Sequence, residues 1–137
     1  AASDVYKRQD IIAGFPTESW SAHRQTMAMI KDAGISYLHV FPYSPRPSTP
    51  AADMPQLDGT VIKQRAGELR EIGKAQLHQH LETAIGTTDR MLVESGNVGH
   101  GRNFAKIRLD QPFLPASTLV DVKIYRRDQD MLLAHAV

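Results

Sequence analysis

Apolar residues change their rhythm twice along this chain, and each rhythm predicts a different kind of element. Ile11, Ile12 and Ala13 form a short run closed by Gly14. Such a run, bounded by Gly and Pro, predicts a strand buried on both faces of a parallel sheet. Pro16 to Ser19 form a helix entrance, with Ser19 as the N-cap whose hydroxyl accepts from a first-turn amide. His23, Met27 and Ile30 then recur at helical spacing on one face, and Gly34 is the stop. Residues 36–41 are β-branched and aromatic enough for a second strand. Strand, helix and strand within about 30 residues predict a βαβ unit with a right-handed crossover.

A proline-rich stretch follows. Pro42, Pro45, Pro47, Pro50 and Pro55 remove backbone donors and predict an ordered loop or extended arm. Ile62, Ala66, Leu69, Gly73, Leu77, Leu81 and Ala84 then mark one face of a long helix, closed by Gly86. Beyond Gly86 the rhythm shortens. Residues 91–94, 103–109, 118–126 and 131–137 are strand-like, separated by Gly-, Asn-, Pro- and Asp-rich turns. Four or five such strands predict a small barrel of the oligonucleotide-binding type. The expected domain organisation is therefore a non-native leader over 1–9, an α/β part over 10–86 and an all-β domain over 87–137.

Composition narrows the chemistry. The 137 residues carry 16 Lys+Arg against 15 Asp+Glu, which excludes a polybasic tail and an acidic solvating segment. There is no cysteine, so disulfides, CxxC metal sites and cysteine nucleophiles are excluded within this chain. No apolar run approaches the ~20 residues of a membrane helix, and Ala1–Gln9 lack the apolar core of a secretory signal. No membrane partner is expected, and the expected address is the cytoplasm. The sequence opens without Met, and a polar string leads straight into a core strand. It is expected to be a portion of a longer protein.

Three constellations could carry chemistry. Gly14 to Glu18 follow a strand, where ligands gather in parallel α/β sheets and a helix start offers free amides. On spacing alone the same residues are more readily a strand-to-helix turn with Glu18 favoured by the helix dipole. Phe41 to Pro50 lie at the same rim and combine aromatic faces, hydroxyls and Arg46; a proline-stiffened connector is the alternative. Gly99 to Arg108 bring Arg102, Lys106 and Arg108 together without an acid. These three cations share strand parity with Phe104 and are expected on one face with it, the equipment of single-stranded nucleic-acid binding. A solvated strand face is the alternative. His78 and His80 face different directions on their helix, and His23 sits on an apolar face as a packed core histidine. No HExxH pair, phosphate loop or nucleophile elbow is present, and no metal site of the chain's own is expected.

Asp10-Ile11-Ile12-Ala13-Gly14-Phe15-Pro16-Thr17-Glu18, with Leu38 to Ala52, resembles the radical S-adenosylmethionine methylthiotransferases. The resemblance continues through the long helix to Met91-Leu92-Val93-Glu94 and covers residues 10–137. It implies the last βα units of a partial (β/α) radical barrel followed by a TRAM domain, an RNA-holding β-barrel. It implies S-adenosylmethionine and two 4Fe-4S clusters in the intact enzyme. The tRNA branch places a methylthio group on carbon 2 of a modified adenosine beside the anticodon; another branch modifies a ribosomal-protein aspartate. That second branch usually has acidic residues where this chain has Arg46-Pro47. His39 to Ser44 look most like the threonylcarbamoyladenosine enzymes, with the isopentenyladenosine enzymes as close relatives. A stand-alone RNA-binding module is the non-enzymatic alternative.

Carried over by the resemblance, Gly14, Phe15, Glu18, Phe41, Tyr43 and Ser44 line the adenosine part of the cofactor. Arg46 and Thr49 lie on the substrate side. Arg102, Asn103 and Phe104 face RNA, joined by Lys106 and Arg108 from the charge pattern. The implied partners are the tRNA anticodon region and the enzyme's N-terminal domains. The chain departs from the family at Ser48 and Thr17, where Gly is common. If the backbone there takes a positive φ, Ser48 costs about 1 kcal/mol. It also lacks the CxxxCxxC triad that holds the radical-generating cluster, so the chain alone is expected to be inactive, with no catalytic residue of its own.

Overall fold

In the computed structural model, residues 7–137 are described, and the expected leader over 1–9 lies mostly outside them. The chain divides into two compact units; one runs to Gln76 and the other covers Leu77–Val137.

The first unit is a βαβ unit followed by a helix. Strand β1 (Arg8–Ala13) pairs in parallel with β2 (Tyr37–Pro42), Ile11 opposite Val40 and Ile12 opposite Phe41. Helix α1 (Trp20–Asp32) connects them. Its N-terminus is capped as the sequence predicts: Ser19 Oγ accepts from the Ala22 amide at 3.0 Å. Its C-terminus ends in a Schellman motif. Gly34 (φ +64°) donates to Lys31 O, and Ile35 donates back to Ile30 O. His23 and Ile30 are fully buried on the predicted face. Helix α2 (Gly59–Glu82) packs close to the sheet at Gly73, where a Cβ would come within 3.0 Å of the Leu38 side chain. Ala13, Ile30, Ile35, Val40, Ala66 and Leu69 form the core.

One expectation fails here. β1 is buried on one face only. Ala13 is in the core, but Ile12 is 56% exposed and its partner Phe41 is 43% exposed. Both helices supply the buried face, and no described element of this unit covers the other.

In the second unit five strands close into a barrel in the order β3-β4-β5-β7-β6. They are β3 (Thr88–Ser95), β4 (Val98–His100), β5 (Lys106–Leu109), β6 (Leu119–Asp128) and β7 (Met131–Ala136). All neighbours are antiparallel except β5 and β7, so the barrel is mixed. Inward residues alternate along the strands: Met91 and Val93, Ile107 and Leu109, Val122 and Ile124. Leu81, from the last turn of α2, is buried in the same core. Strand β4 lies inside a segment whose composition predicts a turn. The turn is tighter: Gly96 and Asn97 both have positive φ, the signature of a two-residue hairpin, which leaves Val98–His100 free to pair. Gly99 is required there, because a Cβ would fall 1.8 Å from the Leu92 carbonyl oxygen.

Candidate functional site

The turn after β1 is held from inside. Gly14 (φ +80°) lies so close to α2 that a Cβ would come within 2.7 Å of Ile62. Its N–H donates to Glu18 Oε1 at 3.0 Å. Arg65, from α2 and only 2% exposed, donates through Nη1 to the Glu18 carbonyl and to Oε1, at 2.6 and 2.9 Å. The same guanidinium sits 4.5 Å over the Trp20 ring. Glu18 thus spends its carboxylate on the turn and on Arg65. Beside it, His23 Nε2 donates to Glu68 Oε2 at 2.7 Å, so His23 is a packed core histidine as its position predicts. That bond is the main reason the Glu68 carboxyl lies below its ordinary range.

On this turn Phe15 stands exposed with its ring edge-on to Tyr43, centroids 5.4 Å apart. The Tyr43 amide donates to Ala13 O at 2.8 Å and extends the ladder past β2, while its hydroxyl is buried with no hydrogen-bond partner. Phe41 lies on the open sheet face, its ring 4.3 Å from that of His39. Gly14, Phe15, Glu18 and Tyr43 are therefore brought together, and Phe41 joins the neighbouring apolar face with Ile12. Ser44 and Arg46 are exposed in the loop. Thr49 Oγ1 donates to Arg46 O at 2.7 Å and caps the short 3-10 turn Pro50–Asp53, so its hydroxyl shapes the loop. Thr17 and Ser48, the two departures from Gly, have φ of +83° and +66°.

The barrel carries a second cluster. Lys106 and Arg108 point outward from β5, with Ile107 and Leu109 inward. The shared face predicted for Arg102, Phe104, Lys106 and Arg108 does not arise from strand alternation. Residues 101–105 form a turn: Gly101 N donates to Ala105 O, Phe104 N donates to Gly101 O, and Phe104 has φ +63°. A different contact brings Phe104 close. Its ring stacks on His100 at 4.8 Å, and His100 is the register partner of Lys106. Arg102 is exposed; its Nε lies 3.8 Å from Asp89 Oδ1, and Asn103 is half-buried beside it.

Strand pairing extends the cationic surface to residues the sequence does not single out. Arg108 and Arg126 both register with Leu133, and Lys123 registers with His135, whose ring stacks on Tyr125 at 5.0 Å. Tyr125 Oη donates to Asp110 Oδ2 at 3.1 Å; burial and this carboxylate hold the phenol above its ordinary pKa. On β3 and β6, by contrast, Arg90 is matched by Asp121 at 2.8 Å, which raises the one pKa and lowers the other. An exposed surface of cations interleaved with aromatic rings can hold a phosphate backbone and stack bases. Among the described residues no group of three or more His, Asp or Glu could hold a metal ion, and no helix is long and apolar enough to cross a membrane.

No protein-family model matches the chain. Individual relatives do. The threonylcarbamoyladenosine tRNA methylthiotransferase MtaB of Rickettsia prowazekii is 45% identical over 102 residues, 74% of this chain and 24% of that enzyme. The tRNA-2-methylthio-N(6)-dimethylallyladenosine synthase of Stutzerimonas stutzeri is 36% identical over 137 aligned residues, 90% of this chain and 30% of the enzyme. The synthase of the same name from Vibrio vulnificus is 40% identical over 95 residues, 69% of this chain and 20% of the enzyme. The chain thus spans a fifth to a third of the length of the curated relatives it matches. By these identities the chain is homologous to a C-terminal portion of tRNA methylthiotransferases.

Proposed function

We propose that this chain is the part of a radical S-adenosylmethionine tRNA methylthiotransferase that forms one wall of the cofactor site and grips the RNA. The first unit supplies the last βα elements of the radical barrel, and the β-barrel is the TRAM domain. The higher identity to the threonylcarbamoyladenosine enzyme, 45% against 36% and 40%, favours that modified adenosine over the dimethylallyl one.

The residues fit S-adenosylmethionine in part. Phe15 and Phe41 offer exposed rings to a purine, while Glu18 acts by holding the turn that presents Phe15. Gly14 packs against Ile62, where a Cβ would come within 2.7 Å of that side chain. Iron–sulfur clusters do not fit this chain, which has no thiolate to offer, so their ligands belong to the enzyme's other domains. The bound cofactor and cluster supply the radical chemistry; this chain orients the adenosine and the RNA.

The RNA reading rests on the outer face of β4 and β5. These are the second and third strands of a five-stranded barrel, the face that oligonucleotide-binding barrels use. Reversing charge at Arg102, Lys106 and Arg108 is expected to weaken tRNA binding and flatten its dependence on log salt by about 0.7 per lost phosphate contact. Unchanged affinity would remove this reading. The activity is tested by replacing the matching portion of the Rickettsia enzyme with residues 10–137. Methylthio incorporation into threonylcarbamoyladenosine tRNA supports the assignment, and a folded, cluster-loaded chimera without it refutes it.

A further inference from the structure

The turn between β4 and β5 closes one side of a cavity of about 500 Å³ within the second unit. That volume is in the range of about 300–1,000 Å³ in which small-molecule sites fall. Its floor is apolar: Leu81, Ala105, Ile124 and Leu132. Its rim is polar: Thr87, Thr88, Asp89, Arg102 and Asn103. The carboxylate of Asp89 is fixed. Oδ1 accepts from the Arg90 amide at 2.7 Å and from the Arg102 amide at 3.3 Å. Gly101 closes over it so tightly that a Cβ would fall 2.2 Å from Oδ2. His80, also at the rim, is held below its ordinary pKa by burial.

An apolar slot edged by a fixed carboxylate and a carboxamide has the chemistry of a base pocket. A flat ring loses water against the floor, and its edge is read by groups held in place before binding. The carboxylate accepts only, so it selects bases that present N–H donors on their edge. Guanine offers two adjacent donors there and uracil one. Arg102 belongs both to this rim and to the exposed cationic surface, so a strand lying along Lys106 and Arg108 passes the opening.

We propose that this cavity takes one unpaired guanine of the RNA that lies on the β4–β5 face, with Asp89 and Asn103 reading its edge. The proposal rests on the RNA-binding reading of the barrel, and the test separates the two. The isotope-labelled 137-residue chain is titrated with two RNA pentamers, all uridine and uridine with a central guanine, and followed by amide resonances. The guanine pentamer is expected to bind about tenfold tighter and to shift Thr87, Thr88 and Asn103. Asp89→Asn should reduce that preference while binding of the uridine pentamer persists. Shifts confined to His100, Lys106 and Arg108, with equal affinities, overturn the pocket and leave the RNA reading standing. Pocket shifts of equal size with both pentamers overturn the choice of base. Binding of neither pentamer removes the RNA reading and this inference with it.

Discussion

The two units solve the problem of burying a sheet in opposite ways. The barrel closes on itself: each strand has two partners, and Met91, Val93, Ile107, Val122, Ile124 and Leu132 meet in one core. The βαβ unit buries one sheet face under its helices and leaves Ile12 and Phe41 open on the other. What it lacks in apolar closure is offset by a polar network, Gly14–Glu18–Arg65 with His23–Glu68, running beneath the turn that presents Phe15. The barrel is thus an apolar scaffold whose surface carries the charge. The βαβ unit keeps an ion pair inside, Arg65 with Glu18, and leaves part of its apolar sheet face open.

The sharpest way to break this contrast is Arg65→Met. Removing one partner of a buried pair leaves the Glu18 carboxylate uncompensated, and destabilisation of the first unit by about 3–5 kcal/mol is expected in urea unfolding. The double variant with Glu18→Gln should recover part of that loss. A small effect of Arg65→Met alone would mean that apolar packing holds this unit as it holds the barrel.

The matching experiment in the barrel is Ile107→Ala, a fully buried side chain. A loss of about 2–5 kcal/mol is expected from transfer and cavity terms. Ile12→Ala, on the open sheet face, should change stability by less than about 0.5 kcal/mol. Equal losses at Ile107 and Ile12 would show that the sheet's open face is covered.

Backbone strain separates the units less strongly. Thr17 is β-branched and held at φ +83°. Thr17→Gly should stabilise the first unit by about 1 kcal/mol, the relief of left-handed strain less the entropy glycine adds to the unfolded chain. Ser48→Gly, at φ +66°, should gain less, because serine is not β-branched. Thermal unfolding of the two variants checks the order.

Local signals carried the fold, and pairing signals carried what the local ones missed. Ser19, Gly34 and the face of α2 from Ile62 to Leu81 act through near neighbours in sequence, so they can be read directly. The open face of β1 could not be, because Ile11-Ile12-Ala13 has the composition of a strand buried on both sides. Arg65 was hidden in a helix whose apolar spacing drew attention to Ala66 and Leu69. Its partner Glu18 lies 47 residues away. Lys123, Tyr125, Arg126 and His135 join the cationic surface only through the register of β5, β6 and β7. Phe104 reaches His100 through a turn and a ring stack, which strand alternation does not reveal.

The smallest expected effect is a pH dependence confined to the first unit. Glu68 lies below its ordinary value of 4.5, chiefly through the hydrogen bond from His23. A carboxyl whose pKa is lower folded than unfolded releases its proton more readily in the folded state. Its contribution is therefore complete above the unfolded value and is lost as pH falls through the folded one. Stability of the first unit should decline as pH drops below 4.5, and Glu68→Gln should remove that part of the slope. The carboxylate is about a third exposed, which keeps the effect near 1 kcal/mol or below. Asp121 of the barrel is lowered too, but its pair with Arg90 is exposed on both sides. Asp121→Asn should therefore leave acid unfolding almost unchanged. A larger acid response from Asp121→Asn than from Glu68→Gln would place the functional polar network on the barrel's surface and not under the turn.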